Sequence, residues 1–266
     1  MFSKNHREYI SLPKNRDDLQ KVMARDCDVG LPGAMGSVDV VHCTWSRCPK
    51  GDFNRAKRKE GYLTLAFQCI SDFDCRIIGL FGPQWGTRND KHIVKLDPNV
   101  RQIMQGWYKM VEWCYFRRDG TVATDVGAYL ISDNWYLLWP ITICPFMHAR
   151  KKTCEGYFSS NLESVQKNVE CVFGILKKRW KILDYGFSHR NIKTCSDIFV
   201  TCCCLHNIGL EIMERMVKPP RVGRGMPSGT DGIWLGNPLD LMKREASSDH
   251  ILATSGVNVA GGWQNT

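Results

Sequence analysis

An aspartate in the middle of an apolar strand constrains this chain more than any other feature. Asp39 lies in Ser37-Val-Asp-Val-Val-His42, a run that would otherwise read as a buried strand. Asp133 closes a second such run, Ala128-Tyr-Leu-Ile-Ser-Asp133. Glu170 sits part-way along the amphipathic stretch from Asn161 to Trp180. A carboxylate taken into a core costs several kcal/mol unless a cation or a partner compensates it. Taken singly, Asp133 also reads as a strand-end turn residue and Glu170 as a solvated helix residue; if the three converge, they form a divalent-metal site.

The rest of the pattern suggests how. Val38–His42 predicts a first strand. Tyr62–Ile70 and Cys75–Phe81 predict two more, joined by the turn Ser71-Asp-Phe-Asp74. Asp97-Pro-Asn-Val100 opens a predicted helix whose apolar positions, Val100, Ile103, Met104, Trp107, Val111 and Tyr115, run on until Asp119-Gly120. Ala128–Ile131 predicts a further strand, followed by an irregular segment from Asn134 to Phe146. Ser160 and Glu163 read as a capping box for the next helix, with a stripe of Val165, Val169, Val172, Phe173, Leu176 and Trp180. A last helix is expected from Lys193 to Met213. Strand, hairpin, helix, strand, helix is the order of an RNase H-like α/β domain, a mixed sheet flanked by helices.

The chain length of 266 residues suits one such domain with tails. Residues 1–32, polar and carrying Pro13 and Pro32, read as a linker with one short helix from Arg16 to Ala24. The domain is expected over 33–215, and 216–266, rich in glycine and serine, as a mostly disordered tail. A net charge of +9 favours an anionic partner, with nucleic acid ahead of membrane because no apolar run reaches roughly 18–20 residues. The charged start lacks a secretory signal pattern, so an intracellular protein is expected. The 13 cysteines contain no C-x-x-C pair and lie mostly in apolar stretches. They read as buried thiols, ahead of a zinc site or a disulfide framework.

In a mixed sheet, Asp39 and Asp133 would lie on neighbouring strands, with Glu170 approaching from a flanking helix. Acidic oxygens around one point suit two divalent ions roughly 3.5–4 Å apart, the arrangement of phosphodiester chemistry. Gly174, one turn beyond Glu170, would leave room on that face, and Lys177 could meet a phosphate. Three basic clusters, Arg55/Lys57/Arg58/Lys59, Arg150-Lys-Lys152 and Lys177/Lys178/Arg179/Lys181, read either as solvated faces or as phosphate contacts. His42 reads as a structural histidine ahead of a ligand, and Leu205-His-Asn207 as helix packing with one polar contact. Trp135 reads as a packing residue ahead of a base-stacking one.

From Gly33 to Glu211 the chain resembles the DDE-type transposases of the PIF/Harbinger superfamily and the nucleases derived from them. The anchors are Gly36-Ser-Val-Asp-Val-Val-His42, Gly86-Thr-Arg-Asn-Asp90, Ser132-Asp-Asn-Trp-Tyr136 with Pro145-Phe146, Asn168 to Trp180, and Leu205-His-Asn207. The resemblance implies catalytic roles for Asp39, Asp133 and Glu170, and a metal-binding role for these three with Asp90. It implies Mg2+ or Mn2+ as cofactor, as two ions, and double-stranded DNA as substrate. A Myb/SANT-like DNA-binding partner and a nuclear location follow from it. Trp85-Gly86-Thr87 stands where the family often has Pro-Gly-Ser, and Ser132 where a glycine often precedes the second aspartate. The family's helical DNA-binding region upstream of the first aspartate is not seen. A domesticated or decayed, catalytically inactive DNA- or protein-binding derivative is therefore the second reading. A nuclease for RNA–DNA hybrids is a third.

Overall fold

A computed structural model describes residues 6–117, 119–133, 141–150 and 152–217. Its strands are β1 (Ala34–Thr44), β2 (Thr64–Ser71), β3 (Ile77–Trp85), β4 (Glu112–Phe116), β5 (Val122–Val126), β6 (Tyr129–Ile131) and β7 (Thr142–Ile143). Its helices are α1 (Arg16–Asp28), α2 (Phe53–Ala56), α3 (Asp90–Leu96), α4 (Pro98–Gln105), α5 (Cys154–Arg179), α6 (Lys181–Tyr185) and α7 (Ile192–Val217).

The main sheet runs β3-β2-β1-β6-β7. β1, β2 and β3 pair antiparallel, while β1–β6 and β6–β7 are parallel. This is the expected mixed, RNase H-like sheet. Alternation along β1 divides the core. Val41 and Cys43 join Leu65, Phe67, Val169, Val172, Phe173 and Phe199 beneath α5 and α7. Val38 and Val40 face the other way, toward Leu19, Met23, Val100, Ile103 and Leu130 near α1 and α4. Phe67 stacks on Phe199 at 4.0 Å, and its burial contributes roughly 1.5–3 kcal/mol.

Three expectations change. The helix opened by Asp97, whose carboxylate accepts from the Asn99 N–H at 2.7 Å, stops at Gln105. Beyond Gly106 the aromatic-rich Glu112–Phe116 pairs with Val122–Val126 as a separate hairpin. Aromatic side chains suit a pleated ribbon, and Tyr115 fits both periodicities. Second, Ser160 and Glu163 fall inside α5, which starts at Cys154 with Thr153 accepting from the Gly156 N–H at 3.2 Å. A cap nearer the helix start won over the capping box. Third, the segment before Gly33 is integrated with the sheet. Asn15 caps α1, and Ile10, Leu12, Leu19, Met23 and Leu31 are buried. The irregular stretch after Asp133 contains β7; residues 134–140, Trp135 among them, lie outside the described residues, as does the tail beyond 217.

By length and composition alone α7 could cross a membrane, a possibility the sequence reading had set aside. Here it packs against the sheet, with Cys195, Phe199, Cys203 and Cys204 buried. All the cysteines are free, and burial pushes the Cys43 thiol up to about 12 and that of Cys202 to about 11.

Leu205-His-Asn207 does more than pack. The Asn207 side-chain carbonyl accepts from the Ile77 N–H at 3.0 Å, and its amide donates to the carbonyls of Ile77 and Tyr9, each at 2.8 Å. His206 Nε2 meets the Cys75 carbonyl at 2.8 Å. One side chain thus ties α7, the outer strand β3 and the N-terminal segment together. Asn207→Ala strands buried backbone groups at Ile77 and is expected to destabilise the fold by roughly 2–4 kcal/mol, read as a lowered midpoint in urea.

Candidate active site

The β1–β6 pairing positions the first two acids. Ser37 lies opposite Ile131. Asp39 lies two residues further along β1, on the same face as Ser37, and Asp133 follows two residues beyond the end of β6. That face looks toward α5. The Ser37 hydroxyl donates to the Val165 carbonyl at 3.4 Å, and Ile131 packs with Leu162 and Val165. Glu170 lies one to two turns further along the same helix, exposed. Gly174 leaves open space where a side chain would stand. Asp90 arrives by another route, in the first turn of α3, whose cap Asn89 accepts from the Lys91 N–H at 2.7 Å.

The acids feel one another electrostatically. Asp39 is half-buried, and its carboxyl is pushed up to about 7, chiefly by loss of water. Its side chain accepts from the Val40 N–H at 2.7 Å, which opposes that rise. Repulsion from Asp133, Asp90 and Glu170 adds to it. Asp90 is raised as well, by desolvation and then by Asp133, with Arg58 pulling the other way. Four carboxylates from four elements therefore share one electrostatic neighbourhood. Among the described residues, no three His, Cys, Asp or Glu side chains form a ready-made metal-binding group. Oxygen-only donors suit a hard cation, and such a cation would have to draw these carboxylates inward.

The basic residues divide. Lys177 acts electrostatically on His42 and Cys43 of β1, and Arg58 on His42 and on one of the acids, Asp90. Lys181 instead pairs with Asp184 at 3.6 Å. Arg179 turns to His206, 3.4 Å from its Nδ1. Arg55 lies over the Trp85 ring at 5.6 Å, while Lys57, Lys59 and Lys178 are exposed. His42 Nδ1 sits 3.1 Å from the Thr64 hydroxyl, and burial with the nearby cations pushes its imidazole down to about 4. A neutral histidine between strands suits the structural role. The closeness of Arg58 to Asp90 escaped the sequence reading, because only the turn after α2 brings them together.

The sequence matches the family described as "Plant transposon protein" over residues 7–217. The chain belongs to that family. It is 22% identical over 213 residues to "Protein ALP1-like" of Arabidopsis thaliana, covering 78% of this chain and 50% of the relative. It is 22% identical over 219 residues to "Putative nuclease HARBI1" of Homo sapiens, covering 81% of this chain and 57% of the relative. The chain thus spans about half the length of the curated relatives it matches. No solved structure matches. The resemblance to Harbinger-type transposases is borne out by this plant transposon family membership, and the match takes in the segment before Gly33 from residue 7 onward.

Crowded acids leave a signature in stability. The folded carboxyl of Asp39 titrates above its ordinary value of 3.8, so the folded state holds a proton that the unfolded state has lost. The contribution of Asp39 to stability accordingly falls as pH rises from about 4 through about 7. Asp39→Asn is expected to match wild type in mildly acidic buffer. At about pH 8, without divalent cations, it should exceed wild type by about 1–3 kcal/mol, measured as a Tm difference that grows with pH.

Proposed function

We propose that this chain is the nuclease domain of a transposon-derived enzyme, cutting DNA phosphodiester bonds with divalent metal bound by Asp39, Asp133, Glu170 and Asp90. The observation that carries this reading is the electrostatic convergence on Asp39 of three acids from separate elements. Membership of the plant transposon family and similarity to a relative bearing a nuclease name support it.

Mg2+ or Mn2+, as an ion pair, would lower the pKa of an attacking water or 3′-hydroxyl and neutralise charge on the leaving oxygen. The chain's own part is to bind and orient. Asp39 on β1 and Asp133 just past the end of β6, its parallel neighbour, would supply two carboxylates from adjacent chain segments. Glu170 closes the group from α5 and Asp90 from α3. A nucleophilic oxygen forms a bond to phosphorus as the bond to the bridging 3′ oxygen breaks; the proton of the nucleophile passes to solvent, and the departing 3′ oxygen takes a proton from solvent. When water attacks, the products are a 3′-hydroxyl and a 5′-phosphate; when that 3′-hydroxyl attacks another strand, the two DNAs are joined. Lys177 and Arg58 are placed to meet phosphates beside the acids, with Lys57, Lys59 and Lys178 extending the basic surface. The working unit we infer runs over 33–215 together with the packed segment before it. It would act on double-stranded DNA in the nucleus, with a Myb/SANT-like protein supplying further DNA recognition.

A second reading, a catalytically silent DNA- or protein-binding derivative, draws on the lack of a ready-made metal group among the described residues. Two measurements separate them. If the enzyme reading holds, millimolar Mg2+ or Mn2+ raises Tm by linkage, and Asp39→Ala or Asp133→Ala abolishes that rise. Cleavage of terminal-repeat duplexes requires the same residues, and RNA–DNA hybrids stay intact. Metal-dependent stabilisation that survives in both variants would place the ligands elsewhere, and silence on every substrate would favour the binding derivative.

A further inference from the structure

The loop between α2 and β2 is built as a narrow basic turn. Lys57 bridges Leu63 in antiparallel fashion, the Arg58 N–H donates to the Tyr62 carbonyl at 2.9 Å, and the Gly61 N–H to the Arg58 carbonyl at 3.0 Å. Gly61 has φ +90°, a left-handed conformation that favours glycine. The backbone of the turn is thus fixed by its own hydrogen bonds. Its side chains point into solvent: Lys57 and Lys59 are exposed, and Tyr62 keeps 67% of its surface in water. Glu60 supplies one counter-charge, 3.5 Å from Arg58.

An aromatic ring that exposed loses apolar burial, and no ring or cation among the described residues stacks on it. The turn stands at one end of the β1–β2 ladder. Thr64, two residues after Tyr62, pairs with Thr44 and touches His42 at 3.1 Å, while Asp39 pairs with Cys69, seven residues from Tyr62 and roughly 20 Å along the strands. A rigid turn carrying an open ring between cations, on the same sheet as the acids and a few nucleotides' length from Asp39, has the composition of a single-strand platform. Cations track the backbone while a base stacks on the ring, whatever its sequence.

We propose that Tyr62, flanked by Lys57, Arg58 and Lys59, binds an unpaired nucleotide of the DNA strand held at the acidic site. This deepens the nuclease reading and rests on it: the substrate would be DNA whose strands are parted a few nucleotides from the cut.

The test uses the full chain in Ca2+ with two fluorescent probes, a blunt duplex and the same duplex with a short unpaired 3′ flap containing 2-aminopurine. Wild type is expected to bind the flapped probe more tightly and to quench its 2-aminopurine. Tyr62→Ala should lose about tenfold of that preference together with the quenching, while Tyr62→Phe keeps both. Because Tyr62 is exposed, the alanine variant should keep the wild-type Tm. Equal binding of both probes by wild type, or an unchanged preference in Tyr62→Ala, overturns the proposal while leaving the nuclease reading intact. Failure of wild type to bind either probe overturns both.

Discussion

The parallel pairing of β1 with β6 is the constraint on which the arrangement depends. Ser37 stands opposite Ile131, so Asp39 follows on the face covered by α5 while Asp133 leaves the end of β6 beside it. A slip of one residue would turn one of the two acids to the α1 and α4 side, where Val38, Val40 and Leu130 now pack. The register is therefore held by the core on both faces, and the acids follow from it. Repulsion between them is then imposed by the fold, which answers it with water on the open side and with Arg58 near Asp90.

Much of this was legible in the residues. An aspartate within an apolar strand marked β1, and the turn Ser71-Asp-Phe-Asp74 marked the β2–β3 hairpin. What was not legible came from competing periodicities and distant contacts. Val111 and Tyr115 continued a helical stripe although Tyr115 also fits an alternating strand, and Gly106 alone gave little warning that the helix had ended. Residues 10–31 looked polar because their few apolar side chains, Ile10, Leu12, Leu19, Met23 and Leu31, are widely spaced; each nevertheless finds the core. At the site, the acids were readable because a charge in an apolar run is conspicuous. The division of the cations was not, since whether Arg179 faces the acids or His206 depends on where α7 lies.

A second acidic group shows that crowding alone does not define a site. Asp26 is buried at the end of α1, neither of its oxygens has a hydrogen-bond partner among the described residues, and burial with Asp72 and Asp74 nearby pushes it up to about 7. Unlike the acids near Asp39, it has no open side, and Arg25 is committed to Asp74 at 3.1 Å.

Asn207 has a consequence beyond holding α7 in place. The outermost strand of a sheet offers peptide groups that another chain can use for ladder pairing, and proteins commonly hide them. At Ile77 a carboxamide imitates the missing neighbour, accepting and donating as a peptide would. The flank is thereby shut at that point by one side chain instead of an additional strand, and the molecule resists templating its own aggregation there.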